Sequence, residues 1–430
     1  MTVGSKYPLS LKAGKPILSE CPSEWEKERL GEITSWSSGG TPSKANIEYW
    51  GGTIPWMSAK TMRGTSFSHS NLCISEKGLK TGSKLANKGD LLPLVRGSML
   101  WNKIPVGIAK KNLAFNQDVK CISPKQEKIS SRFLLFWFSA HENMLLHMVT
   151  GTGIGAGKLD TNELTSLKIS LPPLTEQQKI AQILSTWDKA INTTESLIAN
   201  SQQQKKPLMQ QLLTGKKRFA EFEGEWQEVT LSDCFDHIGG TALEKHVNSE
   251  ALHHFISIGN YAIDGKYVDK KQRITLNTKT STKLLSKNDL VMVLNDKTKT
   301  GDIIGSTILI DEDNKYIYNQ RSERLIPHDH IHPIFFWFLL NSKDIRAEVF
   351  NRSQGGTQIY VNFSGIKSIK LLLPCIKEQQ KIASALTAAD QEIYTLQQKL
   401  TYLKQEKKAL MQQLLTGKRR VKVDNETEAA

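Results

Sequence analysis

From Ile382 onward, apolar side chains recur at steps of four and three: Ile382, Leu386, Ala389, Ile393, Leu396, Leu400, Leu403, Leu410 and Leu414, with Lys407 in the one remaining slot. A heptad stripe sustained over more than four repeats predicts a long helix with a coiled-coil seam, because only that period keeps a narrow apolar face turned toward one partner helix. The same spacing occurs earlier, at Ile180, Leu184, Trp187, Ile191, Thr194, Ile198, Ser201, Lys205, Leu208 and Leu212. Thr194 and Ser201 weaken this second stripe. Lys205 mirrors Lys407, and a lysine in such a slot is expected to pack its stem, send its ammonium to water and help fix register.

Both stripes lie in a duplicated segment: residues 171–218 align without a gap with residues 373–420, at an offset of 202 and with 25 of 48 positions identical. Each copy opens on a proline-terminated apolar stretch, LPPLTEQQKIA or LPCIKEQQKIA, and closes on LMQQLLTGK. The period is far too long for a solenoid repeat and predicts two lobes that each end in the same part. Thr175 and Gln178 have the spacing of a capping box at the first helix start, where Lys377 replaces the threonine in the second copy. Gly215 and Gly417 fall where a left-handed cap is wanted, and the cations Lys216, Lys217, Arg218 and Lys418, Arg419, Arg420 that follow suit either the helix dipole or phosphates. Pro207 is expected to kink the first helix. With a globular lobe between them, the two helices are expected to pair antiparallel. At about 1.5 Å per residue, Ile382 to Leu414 spans roughly 50 Å, or around 14 base pairs of B-DNA.

Outside the helices the echoes are shorter: Glu24-Trp25 with Glu225-Trp226, Gly39-Gly40-Thr41 with Gly239-Gly240-Thr241, Asp90-Leu91 with Asp289-Leu290, Asn116-Gln117 with Asn319-Gln320, and Phe136-Trp137-Phe138 with Phe336-Trp337-Phe338. Their common order implies lobes that share a plan and have diverged in their loops. FLLFWF and FFWFLL read as one core helix per lobe, and short runs such as DLLPLV, DLVMVL and STILI, punctuated by Gly, Asn, Asp and Pro, read as strands. The expected class is α+β: two similar mixed lobes separated by two long helices in an antiparallel coiled coil, an internal pseudo-twofold repeat. The expected divisions are an arm over 1–23, lobes over 24–174 and 216–374, helices over 175–215 and 375–417, and a basic tail over 418–430.

Charge changes the picture more than composition does. A net charge of +14 with pI near 9.3 attracts polyanions, nucleic acid first among them. No apolar run approaches the roughly 20 residues that cross a bilayer, and the first residues lack the apolar core of a secretion signal. A cytoplasmic protein without a membrane partner is expected. The five cysteines form no CxxC pair, which indicates neither a disulfide framework nor a zinc site.

No catalytic motif emerges. GTGIGAGKLD resembles a phosphate loop, but Thr152 stands where its first glycine belongs and Leu159 replaces the hydroxyl residue. His328, His330 and His332 lie in a segment bounded by Pro327 and Pro333, which reads as a loop, and no metal site is assigned. Base reading needs side chains that pair donors with acceptors, beside cations that hold phosphates. In the first lobe the candidates are Thr41, Ser43, Lys44, Lys60, Arg96, Ser98, Lys103, Asn116 and Gln117. In the second they are Asn260, Tyr261, Asn295, Lys297, Lys299, Asn319, Gln320, Arg321, Gln354 and Gln358. Arg96, Asn295 and Arg321 stand out because each lies at or just beyond a strand end.

The order GGTPSKANIEYWGGTIPW, GDLLPLVRGS, FNQD, aromatic helix and LPPLTEQQKIAQIL resembles the specificity subunit of type I restriction-modification enzymes, over nearly the whole chain. The resemblance implies two target recognition domains, each reading one half of a bipartite double-stranded DNA sequence. It also implies two modification (methyltransferase) subunits docked on the helices, and restriction subunits that act as motor and nuclease. S-adenosylmethionine, ATP and Mg then belong to those partners, and this chain is a non-catalytic subunit that binds no cofactor. Lys377, the weak first seam, Pro207 and the second lobe's loops depart from the family pattern. The rival expectation is a two-headed coiled-coil scaffold that joins proteins, with salt-sensitive DNA affinity but no sequence preference.

Overall fold

The computed structural model describes residues 22–152 and 155–422. The chain forms two compact units, Met1–Glu195 with Gln398–Ala430, and Ser196–Gln397. Each unit therefore holds one lobe together with half of each long helix.

In the first unit a five-stranded sheet runs in the order Thr34–Ser38, Lys120–Pro124, Leu91–Pro93, Val106–Ala109, Ser66–Phe67, antiparallel except for the last pair. A four-stranded sheet carries Trp50–Met57 beside Leu113–Phe115. Against the first sheet lies α1 (Ser131–Ala140), whose run Phe133 to Phe138 is buried on every side, as an all-apolar helix must be. The strand Glu26–Arg29 pairs antiparallel with Lys168–Leu171, which leads through Pro172 and Pro173 into α2 (Leu174–Leu213).

The second unit repeats this plan with different strands. Its four-stranded sheet runs Phe235–Gly239, Ser322–Pro327, Leu290–Val293, Thr307–Leu309, all antiparallel. Helix α3 (Pro333–Leu340) supplies the aromatic core, and Gln227–Thr230 pairs with Lys370–Leu373 just ahead of α4 (Ile376–Leu414).

The seam positions are inward. In the first unit Ile180, Leu184, Ile191, Thr194 and Leu414 are buried, and Trp187, Leu400, Leu403 and Leu410 are half-buried. In the second, Leu212, Ile382, Leu386 and Ile393 are buried, with Ile198, Leu208, Ala389 and Leu396 half-buried. Contacts fix the direction within each unit. In the first, Glu176 meets Arg420, Asp188 meets Lys407 and Glu195 meets Lys404, so α4 descends as α2 climbs. In the second, Lys205 meets Asp390 and Arg218 meets Glu378, again antiparallel.

Three expectations about the helices need correction. Helix α2 starts at Leu174 with Gln177 N bonded to Pro173 O, so Thr175 sits exposed in the first turn and is not the cap; the threonine missing at Lys377 removes nothing. Helix α2 is continuous through Pro207, whose ring is exposed. The seam lysines end on carboxylates instead of water, as described below. The aromatic helices align at the same offset of 202 as the long helices, not at the matching Phe-Trp-Phe letters: Ser130 N and His332 N both donate to the equivalent glutamine Oε1, and Phe136 and Phe338 meet the equivalent lysine. The glycine caps are as expected, with φ of 69° at Gly215 and 73° at Gly417, and with Lys217 N and Arg419 N closing back on Gln211 O and Gln413 O.

Candidate nucleic-acid interface and helix junctions

In the first lobe Asp118 gathers the reading candidates. Its carbonyl accepts from Val95 N (2.8 Å) and Arg96 N (3.2 Å), which sets the exposed strand Arg96–Gly97 beside the Asn116-Gln117 turn. Thr41 Oγ1 donates to Gln117 Oε1 at 2.7 Å, and Lys158 lies across from Arg96 in the neighbouring strand. Arg96, Thr41 and Gln117 thus share one place. Lys60 stands on the turn after Met57, whose carbonyl accepts from Asn116 N. Ser43 and Lys44 are exposed on one loop, and Ser98 and Lys103 are exposed on and just after the short helical turn that follows Gly97.

The second lobe gathers its candidates in the same way. Leu294 N donates to Arg321 O at 3.0 Å, and Asn295 pairs with Tyr360, whose backbone exchanges two 2.8 Å hydrogen bonds with Gln354. Asn295, Arg321, Gln354 and the exposed Gln358 are therefore neighbours along one edge. Gln320 Nε2 donates to Glu244 Oε1 at 3.3 Å. Glu244 is held below the usual carboxylate range, chiefly by the hydrogen bond from Asn319. Lys297 and Lys299 are exposed on one loop. The buried carboxylate of Asp296 pins it by accepting from Thr298 N, Thr298 Oγ1 and Ile303 N at 2.8 to 2.9 Å.

Four of the predicted readers are spent inside the lobes. Asn116 accepts from Asp118 N and donates to Asp118 Oδ2; Asn319 accepts from Leu243 N and donates to Glu244. Asn260, fully buried, takes Ser257 N and gives to Val268 O, while the buried Tyr261 hydroxyl donates to Ser322 Oγ at 2.7 Å. A short amide carries both a donor and an acceptor, so it closes a turn as readily as it reads a base, and sequence alone does not separate the two uses. Among the histidines, His332 caps α3 by accepting from Phe335 N, and His328 reaches Asp233 O. Among the described residues no group of three side chains suited to a metal comes together. Gly153 and Ile154 of the glycine-rich loop, and Cys21, lie outside the described residues. Cys73, Cys121, Cys234 and Cys375 are free thiols.

The duplicated Glu-Gln-Gln segment explains how each lobe is bolted to the helices. Gln177 Nε2 donates to Lys128 O and Pro172 O while its Oε1 accepts from Ser130 N; Gln379 does the same with His330 O, Pro374 O and His332 N. Beside it the buried Glu176 takes a bidentate guanidinium from Arg420 at 2.8 Å, and Glu378 takes Arg218 at 2.7 and 2.9 Å. One helical stretch further on, Lys407 bonds Asp188 and lies 5.3 Å from the Phe136 ring, and Lys205 bonds Asp390 and lies 5.2 Å from Phe338. Both lysine bonds are 2.6 Å. The cations after the helix caps therefore do not all face outward: Arg218 and Arg420 are consumed by the other helix.

The profile described as the type I restriction modification DNA specificity domain matches residues 22–200 and again residues 223–405. The chain belongs to the type I restriction-modification specificity family. It is a specificity subunit with two specificity domains. It is 28% identical over 426 residues to the MjaVIII specificity subunit of Methanocaldococcus jannaschii, covering 93% of this chain and 94% of that one. With the EcoR124I/EcoR124II specificity subunit of Escherichia coli it shares 35% identity over 184 residues, 42% of this chain and 45% of the other. The fold is similar to that of the S subunit of a type I system from M. genitalium, at 16% identity and a TM-score of 0.57, over 93% of this chain and 98% of that one. In this specificity subunit Glu176, Gln177, Asp188 and their counterparts Glu378, Gln379 and Asp390 are the residues that sequence reasoning missed. The repeated EQQ letters were the signal available for the first two pairs. Asp188 and Asp390 recur at the same offset of 202, next to the seam.

Proposed function

We propose that this specificity subunit reads a bipartite double-stranded DNA target, one half with each lobe, and that the paired helices set the unread spacer. The groups around Arg96, Thr41 and Gln117 in the first lobe and around Asn295, Gln320 and Arg321 in the second are the base readers. Lys60, Lys297 and Lys299 hold phosphates. Ser43, Lys44, Ser98, Lys103, Gln354 and Gln358 extend the contact around them.

The observation that carries this reading is the repeated junction. The same glutamine clamp, arginine pair and lysine pair fasten each lobe to the helices, while the exposed groups the two lobes carry are different. A framework held constant with two dissimilar faces is what independent reading of two half-sites requires. The chain acts without catalysis of its own, in the cytoplasm. Two modification subunits dock on the helices and bring S-adenosylmethionine, and restriction subunits bring ATP and Mg.

The test is to map methylated adenines in a genome carrying the complete system, with and without this chain, and then with residues 40–167 exchanged for a foreign lobe. One half-site should change and the other stay. A pattern in which both halves change together, or none depends on this chain, overturns the reading and favours a scaffold.

A further inference from the structure

In each lobe one loop joins two neighbouring strands of the main sheet and carries cations: Lys103 between Leu91–Pro93 and Val106–Ala109, Lys297 and Lys299 between Leu290–Val293 and Thr307–Leu309. Each loop is held by the helix that follows the aromatic one. In the first lobe Glu142, which opens the helix Glu142–His147, accepts from Ile104 N at 2.9 Å. The second lobe uses the opposite charge and more bonds. Arg346, on the helix Lys343–Asn351, donates through Nε to Ile304 O at 2.7 Å, through Nη2 to Asp302 O at 2.8 Å and through Nη1 to Ile263 O at 3.1 Å. Burial lowers its pKa, against the opposing fields of Asp296 and Asp302. The same helix seats the loop by shape: Gly301 (φ 64°) and Gly305 (φ 73°) turn left-handed where Phe350 and Val349 leave no room for a Cβ.

From there the bonds run on to the lysines. Asp302 Oδ2 accepts from Thr300 Oγ1 at 3.0 Å, Asp296 Oδ1 from Thr298 Oγ1 at 2.8 Å, and Asp296 Oδ2 from Ile303 N at 2.9 Å. Every second side chain from Asp296 to Asp302 is thereby used inside the loop. Lys297 and Lys299 alternate with them, exposed, and neither forms an ion pair among the described residues.

We infer that Arg346 is a positioning residue for DNA binding: it holds the loop in the shape that presents Lys297 and Lys299 to phosphates and makes no phosphate contact of its own. The inference rests on the reading of those two lysines as phosphate contacts. Each nitrogen of the guanidinium already donates to a carbonyl, so a direct contact with DNA would break one of these bonds. A loop fixed before DNA arrives gives up little conformational freedom on binding, whereas a released one is ordered at the cost of affinity.

The experiment measures binding of the full chain to a fluorescein-labelled duplex of mixed sequence, about 30 base pairs long, by anisotropy from about 50 to 200 mM salt. Lys297→Ala with Lys299→Ala lowers the salt slope by about two if these lysines hold phosphates. Arg346→Met alone should weaken binding about fivefold at low salt and lower the slope by about one. Added to the double lysine variant it should change affinity by less than about 1.5-fold, because its effect passes through the lysines. Arg346→Lys, which keeps one donor for the carbonyls, should recover about half of the loss on a logarithmic scale. If Arg346→Met does not fold, Arg346→Lys is read in its place, with about a twofold loss expected in the parent and none without the lysines. An equal loss with and without the lysines overturns the inference, since Arg346 would then touch DNA itself or serve only the stability of the lobe. Parent-like binding by the Arg346 variants, with the lysine variant weakened, overturns the inference and leaves the phosphate reading standing. No effect from the lysine variant overturns both.

Discussion

The two units differ most where they are exposed and least where the helices meet the lobes. The glutamine clamp recurs within each lobe, and the arginine and lysine ion pairs recur with their partners exchanged between the helices: Asp188 with Lys407 in one unit, Lys205 with Asp390 in the other. Each copy of the helix therefore carries both members of each pair and contributes one to each unit. A substitution at any of them leaves a charge stranded. The sheet edges and loops carry no such reciprocal demand, and they have drifted in length, strand pairing and charge. The lesson is that reciprocity, more than burial, holds a duplicated sequence constant; the aromatic helices are just as buried, yet α1 and α3 keep only Phe133/Phe335 and Phe136/Phe338 in common.

The comparison is broken most severely at the arginines. Arg218→Ala leaves Glu378 buried without its counter-charge and should cost about 3 kcal/mol of stability by chemical denaturation. Arg420→Ala should cost roughly 1 kcal/mol less, because Trp25 Nε1 still donates to Glu176 whereas Trp226 Nε1 in the second unit has no partner. Next come the lysine pairs. Asp390→Lys should lose about 2 kcal/mol, and adding Lys205→Asp should recover at least half of it, a coupling that a double-mutant cycle measures. A double variant that shows no recovery would mean the pair acts through packing alone.

At the reading faces the effect is in binding. Arg321→Ala should relax preference at one position of one half-site, by about 1–3 kcal/mol. Lys297→Ala with Lys299→Ala should weaken all sequences alike and lower the salt slope by about two. Quantitative footprinting across a site library separates the two. The smallest effect is titration. Burial lowers the imidazole pKa of His141 in the first unit and of His332 in the second. Below the unfolded value near 6.5 the unfolded chain takes up protons that the folded chain refuses, so stability should fall as pH drops from 7.5 to 5.5. A His141→Gln, His332→Asn variant should flatten that dependence in a calorimetric scan.

Much of this architecture was legible in the residues. A seam at heptad spacing, glycines after it and two aromatic runs report buried faces and backbone conformation directly, because each depends on local order along the chain. The partners of the seam lysines were not legible: Asp188 and Asp390 become their mates only once the helices run antiparallel in one register. The proposed reading faces were legible only as candidates. Arg96 and Arg321 are long cations at strand ends and had few other uses, while Asn116, Asn260 and Asn319 turned inward to satisfy turns. Thr175 failed as a cap by a shift of two residues, too small for sequence spacing to resolve.

The first unit is discontinuous: Gly417 rests on Pro22 and Trp25, and Arg420 grips Glu24 and Glu176. A ribosome adding about 5–20 residues per second delivers the second unit's whole stretch before the last part of the first. For roughly 10–40 seconds after Glu195 is made, the nascent amino-terminal lobe waits with its helix half-covered, exposed to chaperones and proteases. Translation speed over the second half of the message then becomes a determinant of how much of this protein survives to assemble.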